Sequence, residues 1–260
     1  MQTRRADSVR LPLVAGGAIQ AYVSYADEHL DWAVVYVHGF GSTRAGVKAD
    51  ALEEACARRG WTFASFDFRG HGASTGTLLE LRGTLLLEDL EALRDYLVSR
   101  GIPRVCLLGS SMGGWAAAWF AMRHPHSLLA CALIAPALRF LESRWALLTE
   151  SERQKWKETG RLRFQNQWVD AEVGYGITEE IDQFPPALLA EKLARPVLIF
   201  HGMQDDVVPY RQSIEFVECA RHPDIELRLY KNGDHRLLDR KEEMAEAACD
   251  FFASRLARQQ

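Results

Sequence analysis

Residues 105–117 read VCLLGSSMGGWAA, an apolar run broken by three glycines and two serines before it turns apolar again. Glycine weakens the interior of strands and helices alike, so this cluster marks a place where the backbone has to turn sharply. Gly109-Ser110-Ser111-Met112-Gly113 has the form G-x-S-x-G. It stands after an apolar run that suits a buried strand and before a stretch with helical spacing. A strand–turn–helix of this kind lifts its central serine clear of the sheet, with the backbone at that residue under strain. Only Ser111 has glycine two residues before and two after it; Ser110 would need one at 108, where Leu108 stands. Trp115, one turn into the helix, belongs to the core on this reading, and Ser110 packs beneath the turn. The motif alone arises by chance in about one chain in ten of this length, so its surroundings have to supply the specificity.

The surroundings keep one rhythm. AVVYVHG (33–39), WTFASFD (61–67), RVCLLGS (104–110), LLACALIA (128–135) and RPVLIFHG (195–202) are continuous apolar runs, the pattern of strands covered on both faces in a parallel sheet. IELRLYK (225–231) alternates more, as an edge strand does. VRLPLVA (9–15) and AIQAYVSYA (18–26) flank Gly16-Gly17, a hairpin signal. Helical spacing fills 46–59, 84–100, 112–123, 210–220 and 239–257. In the last of these, Met244, Ala247, Ala248, Phe251 and Leu256 fall on one face. Strand and helix alternating along the chain predict an α/β fold with helices on both sides of a mostly parallel eight-stranded sheet. Residues 137–194 break the rhythm. They are too long for an ordinary connection and carry Trp145, Trp156, Trp168, Tyr175 and Phe184. The expectation is a core of 1–136 and 195–260 with a helical cap, 137–194, before the penultimate strand. Ligands bind beyond the carboxyl ends of parallel strands, where such a cap would sit.

Composition narrows the function classes. With 260 residues, 48% hydrophobic, and a net charge of −4 with both signs interspersed, the chain has no basic surface for a nucleic acid. No apolar run approaches the ~18 residues of a membrane helix. Arg4 and Arg5 are followed by an acidic residue rather than an apolar segment, so no export signal is read and a cytoplasmic location is expected. The cysteines, at 56, 106, 131, 219 and 249, are odd in number and form no C-x-x-C pair. They read as buried free thiols, with neither a disulfide framework nor a metal site.

A serine hydroxyl needs a base to become a nucleophile, and in this fold acid and base follow the serine in chain order. HGMQDDVVP (201–209) ends the penultimate strand and NGDHRLL (232–238) follows the last, which places Asp205 and His235 at the same sheet edge as Ser111. Histidine can take and return a proton near neutral pH, and Asp205 would fix its tautomer. Asp206 is the rival acid, expected to face solvent or cap the next helix. His201 and His38 are rival bases; each, like His71 in RGHGAS, is expected to be a structural histidine bonded to loop backbone. An oxyanion requires two N–H donors. Met112, at the helix start, supplies one, and the loop HGFGS (38–42) supplies the other from Phe40, with Gly39 and Gly41 allowing close approach. Phe40 would also line an acyl pocket.

Together these residues resemble the α/β-hydrolase superfamily from about residue 9 to 255. GSSMGGW, HGMQDDVVP and DHR resemble in particular the acyl-protein thioesterases with acyl-glucuronide esterase activity found in animal mitochondria, and their bacterial relatives. The resemblance implies a Ser111–Asp205–His235 triad, hydrolysis of S-acyl thioesters or reactive acyl esters on a small molecule or an S-acylated protein, and no cofactor. His38 stands where the animal members have proline, so the HGFGS segment is more similar to bacterial esterases. The same fold also suits a carboxylesterase for small aromatic or short-chain esters, of the cinnamoyl type. A non-catalytic binding protein on this fold is the reading from a different class, and such proteins usually lack a triad member.

Overall fold

A computed structural model describes residues 4–165 and 169–257. β1 (Ala6–Pro12) and β2 (Ala18–Ser24) pair antiparallel, with Gly16 and Gly17 at φ of 94° and 80° in the connecting turn. The first strand ends earlier than its apolar pattern suggests. Residues 13–17 are taken up by the turn itself, closed by the Leu13 N–H on the Gly17 carbonyl at 3.1 Å.

From β3 onward the apolar runs become strands of one sheet: β3 (Trp32–Val37), β4 (Phe63–Asp67), β5 (Arg104–Ser110), β6 (Leu128–Ile134), β9 (Val197–Gly202) and β10 (Ile225–Tyr230). With the hairpin they form eight strands in the order β1-β2-β4-β3-β5-β6-β9-β10, antiparallel where β2 joins its neighbours and parallel thereafter. The continuous apolar runs follow from burial on both faces. Val35 and Val37 point into one core with Leu107, while Val34 and Tyr36 point into the other with Cys106 and Leu108.

α2 (Gly83–Ser99), α3 (Met112–Arg123), α6 (Pro186–Lys192) and α7 (Arg211–Cys219) cover the first face, and α1 (Val47–Arg58) and α8 (Lys241–Leu256) the second. On α8 the buried residues are Met244, Ala245, Ala248, Cys249, Phe251 and Phe252; Ala247 and Leu256 sit at the half-buried margin. The apolar face is thus turned slightly from the predicted one, and the aromatic pair decides it. Each fully buried phenylalanine contributes about 2 kcal/mol, more than an alanine can offset. The chain passes from β3 to β4 on one side and returns to β5 on the other. The crevice between the carboxyl ends of β3 and β5 is therefore the switch point at which such sheets bind ligands.

Residues 137–194 hold α4 (Phe140–Leu147), α5 (Glu150–Thr159), a 3-10 stretch (Tyr175–Gln183) and α6. They also hold an antiparallel hairpin, β7 (Arg161–Gln165) with β8 (Asp170–Gly174), so the segment is not purely helical as expected. Trp145, Trp156 and Tyr175 pack on one another with ring centroids 6.0–6.4 Å apart, and Phe184 enters the main core against Trp115 and Trp119. Trp168 lies outside the described residues. The segment is tied to α2, where Glu180 accepts the Thr84 N–H at 2.9 Å. Cys56, Cys106, Cys131 and Cys249 are buried free thiols, whereas Cys219, at the end of α7, is exposed. No helix among the described residues is long and apolar enough to cross a membrane.

Candidate active site

The turn after β5 is as tight as its glycines imply. A Cβ on Gly109 would lie 2.3 Å from the Gly113 carbonyl oxygen, and one on Gly113 would lie 2.1 Å from that of Val37. The turn leaves Ser111 at φ 54° and ψ −115°, a region that L-residues rarely occupy. The strain is held by its neighbours. The Ser111 N–H donates to the Ile134 carbonyl at 2.9 Å, and the Ser111 carbonyl accepts from Trp115 and Ala137, each at 3.1 Å. Trp115 is 1% exposed and lies in the core.

Two more loops meet this one. The loops after β9 and β10 interlock: a Cβ on Gly202 would sit 2.2 Å from the Gly233 carbonyl oxygen, which accepts the Gln204 N–H at 2.9 Å. Asp234 Oδ1 accepts the N–H groups of Arg236 and Leu237 and so shapes the turn that presents His235. His235 Nε2 lies 3.1 Å from Ser111 Oγ, and its Nδ1–H donates to Asp205 Oδ2 at 2.8 Å. Nε2 is thereby left to accept the serine proton. Asp206 is exposed and makes no such contact.

The Asp205 side chain is fully buried. Burial by itself would raise its pKa. The donors on it outweigh that and hold the carboxyl well below the usual carboxylate range. Besides His235, His201 Nε2–H donates to Oδ2 at 3.2 Å, and the N–H groups of Val207 and Val208 donate to Oδ1 at 2.9 and 2.7 Å. His201 is itself fixed, its Nδ1 accepting the Ser213 hydroxyl at 2.7 Å. It is thus more than a backbone-bonded loop histidine, because it contacts the acid directly. The spacing His201-x-x-x-Asp205 was the available signal, but only the fold shows which atoms meet.

The loop after β3 is held by two imidazoles. His38 donates from Nδ1 to the Gly39 carbonyl at 2.8 Å and accepts the Phe68 N–H on Nε2 at 3.0 Å. His71 Nε2 accepts the Gly41 N–H at 3.2 Å. Burial, with the neighbouring His71 adding to it, pushes His38 down to about 3; burial also lowers His71. Both bonding patterns require the neutral ring. Between them, the Phe40 N–H makes no hydrogen bond to the described residues, and the same is true of the Met112 N–H at the start of α3. A helix N-terminus favours negative charge near its free N–H groups.

A cavity of about 930 Å³ opens over Ser111. Phe40, Phe140 and Phe164 line it, with Phe40 ring centroids 6.4 and 5.6 Å from the other two. The tryptophans described within 137–194 are absent from its lining. Phe140 and Phe164 escaped the sequence reading, since their orientation depends on how that segment folds back. Among the described residues, no group of His, Cys, Asp and Glu is placed to hold a metal ion.

A half-buried serine at a strained strand–helix turn, over a pocket at the switch point of this sheet, belongs to one class of fold. The chain is a member of the α/β-hydrolase family described as serine aminopeptidase, S33, whose profile matches residues 28–169 and 164–242. It is 29% identical over 213 residues to mouse mitochondrial palmitoyl-protein thioesterase ABHD10, covering 80% of this chain and 70% of that one. The solved structure of mouse alpha/beta hydrolase domain-containing protein 10 superposes with a TM-score of 0.83 at 23% identity, over 96% of this chain and 99% of that one. Est1E from Butyrivibrio proteoclasticus, solved with ferulic acid bound, superposes with a TM-score of 0.82 at 20% identity, over 96% and 100%.

Proposed function

We propose that the protein is a serine hydrolase that cleaves acyl esters or thioesters through an acyl-enzyme on Ser111. The observation that carries this reading is the hydrogen-bonded chain from Ser111 Oγ through His235 to Asp205, at 3.1 and 2.8 Å, beside two N–H groups without partners among the described residues. Ser111 Oγ attacks the acyl carbon as His235 Nε2 takes its proton. The N–H groups of Phe40 and Met112 hold the oxyanion that develops, in a geometry set before the substrate arrives. The imidazolium, stabilised by Asp205, returns the proton to the departing oxygen or sulfur. Water then gives its proton to His235 and attacks the ester, releasing the acid and restoring Ser111. The scheme calls for no cofactor and no metal.

Similarity to a palmitoyl-protein thioesterase supports thioesters, on a small molecule or an S-acylated protein, as one substrate class. A second reading, esters of small aromatic acids, is favoured by the wall of Phe40, Phe140 and Phe164. We read residues 137–194 as a cap on a core of 1–136 and 195–260, since Phe140 and Phe164 bring that segment into the pocket lining. The buried free thiols suit a reducing compartment, and a cytoplasmic location is proposed on that ground.

A fluorophosphonate probe should label the wild type and leave Ser111→Ala unlabelled; equal labelling of both would refute the assignment. A series of p-nitrophenyl esters from short to long acyl chains, run beside a thioester, separates the two substrate classes.

A further inference from the structure

One half of the pocket has a chemistry that the proposed reaction leaves unused. Lys48, on α1, is half-buried in the lining, with its Nζ donating to Ser110 Oγ at 3.0 Å. Arg236, the residue after His235, lines the same pocket. Neither has a salt-bridge partner among the described residues. Of the other lining cations, Arg139 is taken up by Glu142 at 2.7 Å and Glu215 at 3.6 Å, and Arg144 lies over the Phe164 ring, 5.1 Å from its centroid. Two carboxylates reach Lys48 from a distance. Asp205 is already committed to four donors, and Asp234 accepts two backbone N–H groups. Burial, and after it the like charge of Arg236, pull the Lys48 ammonium down to about 8.

A chain with 35 acidic residues and a net charge of −4 therefore keeps two neighbouring cations in its pocket without a carboxylate beside them. Arg236 is exposed to solvent, whereas the Lys48 ammonium is drawn out of water beside a like charge and is favoured by an anion that enters. Arg236 adjoins the histidine that returns a proton to the leaving group, and Lys48 lies close enough to Arg236 to be affected by its charge. The aromatic wall comes from other elements: the loop after β3, α4 and β7.

We propose that Lys48 and Arg236 form an anion subsite on the leaving-group side of the pocket, so that the alcohol or thiol released carries a carboxylate or a phosphate. This rests on the proposed hydrolase reading, in which His235 marks the leaving-group side. The ammonium and the guanidinium each give charge-assisted hydrogen bonds to the anion, and the apolar acyl group lies against Phe40, Phe140 and Phe164.

The test uses the full chain and three butyryl esters: of 4-hydroxybenzoate, of 4-hydroxyphenyl phosphate, and of the neutral methyl 4-hydroxybenzoate. The readout is the ratio of kcat/KM on each anionic ester to kcat/KM on the neutral one, which cancels any general effect on the serine and its partners. In Lys48→Met and in Arg236→Gln this ratio should fall about 10- to 100-fold, the worth of one lost charge-assisted hydrogen bond. The carboxylate and phosphate arms show which anion is preferred. A ratio unchanged in both variants overturns the subsite, including the case where anionic and neutral esters slow together. Loss of the hydrolase reading would show separately, as fluorophosphonate labelling that survives Ser111→Ala.

Discussion

Replacing His201 by leucine tests whether the acid depends on its second imidazole. In the wild type Asp205 Oδ2 accepts from His235 at 2.8 Å and from His201 at 3.2 Å, and His201 Nε2 also lies 3.0 Å from the Val208 carbonyl. A hydrogen bond to a charged group contributes about 1.5–3 kcal/mol, and this long, shared one belongs at the lower end. If that loss weakens the hold on His235 in the transition state, about 1.5 kcal/mol is close to a tenfold fall in kcat/KM. Removing Asp205 as a carboxylate, in Asp205→Asn, should cost on the order of 10⁴-fold by the general behaviour of such triads. His201→Leu also strands the Ser213 hydroxyl and the Val208 carbonyl, at about 1–3 kcal/mol each, so folding should weaken by about 2 to 6 kcal/mol in all. His201→Gln keeps a donor at the Nε2 position and should stay within about threefold of wild type. The assay is kcat/KM on p-nitrophenyl butyrate at 15 °C, with the folded fraction of each variant measured by far-UV circular dichroism and urea titration. A folded His201→Leu within twofold of wild type would refute the coupling. So would one as slow as Asp205→Asn.

Two further outcomes follow from the packing and the buried imidazoles. Gly113→Ala places a Cβ about 2.1 Å from the Val37 carbonyl oxygen, backbone that cannot move aside, so several kcal/mol of stability and most of the soluble yield should be lost; a wild-type urea midpoint would contradict this. His38 is held neutral down to about 3, so below the unfolded value of about 6.5 the unfolded chain binds a proton that the folded one refuses. Stability should therefore fall with pH, by about 2 kcal/mol for this group between pH 6.5 and 5, and His71 acts in the same direction. Urea titrations at pH 7 and 5 should show the loss in the wild type and less of it in His38→Gln; identical slopes in the two proteins would exclude His38 as the cause.

Much of this molecule can be read from local pattern. The apolar runs at 33–39, 104–110 and 195–202 become central strands because burial on both faces leaves no polar side to encode. The glycines at 109 and 113 fix the turn because nothing larger fits against Val37 and Gly113 backbone. Ser111, Asp205 and His235 can be named in advance because each follows a strand whose carboxyl end the topology places at one edge. What escapes pattern is what depends on long-range folding. RLRFQ (161–165) forms half of an exposed hairpin whose alternation is too short to separate from a helix turn. Phe164 reaches the pocket from that hairpin, while Trp156, the more conspicuous aromatic, is 2% exposed within the segment's own packing. His201 and Lys48 look like an ordinary strand end and an ordinary helix surface until their neighbours across the chain are known.

The left-handed seat of Ser111 also sets a limit on how robust the protein can become. A serine at φ 54° holds back about 1–3 kcal/mol that a residue without a Cβ would not. On the proposed mechanism, the reacting hydroxyl is thus presented by a conformation that the fold would gain by relaxing. Selection for heat survival alone pulls position 111 toward glycine, and selection for turnover pulls it back to serine. Efforts to harden this chain therefore have to find their gains away from the elbow, because at the elbow durability and reactivity are opposite ends of a single backbone angle.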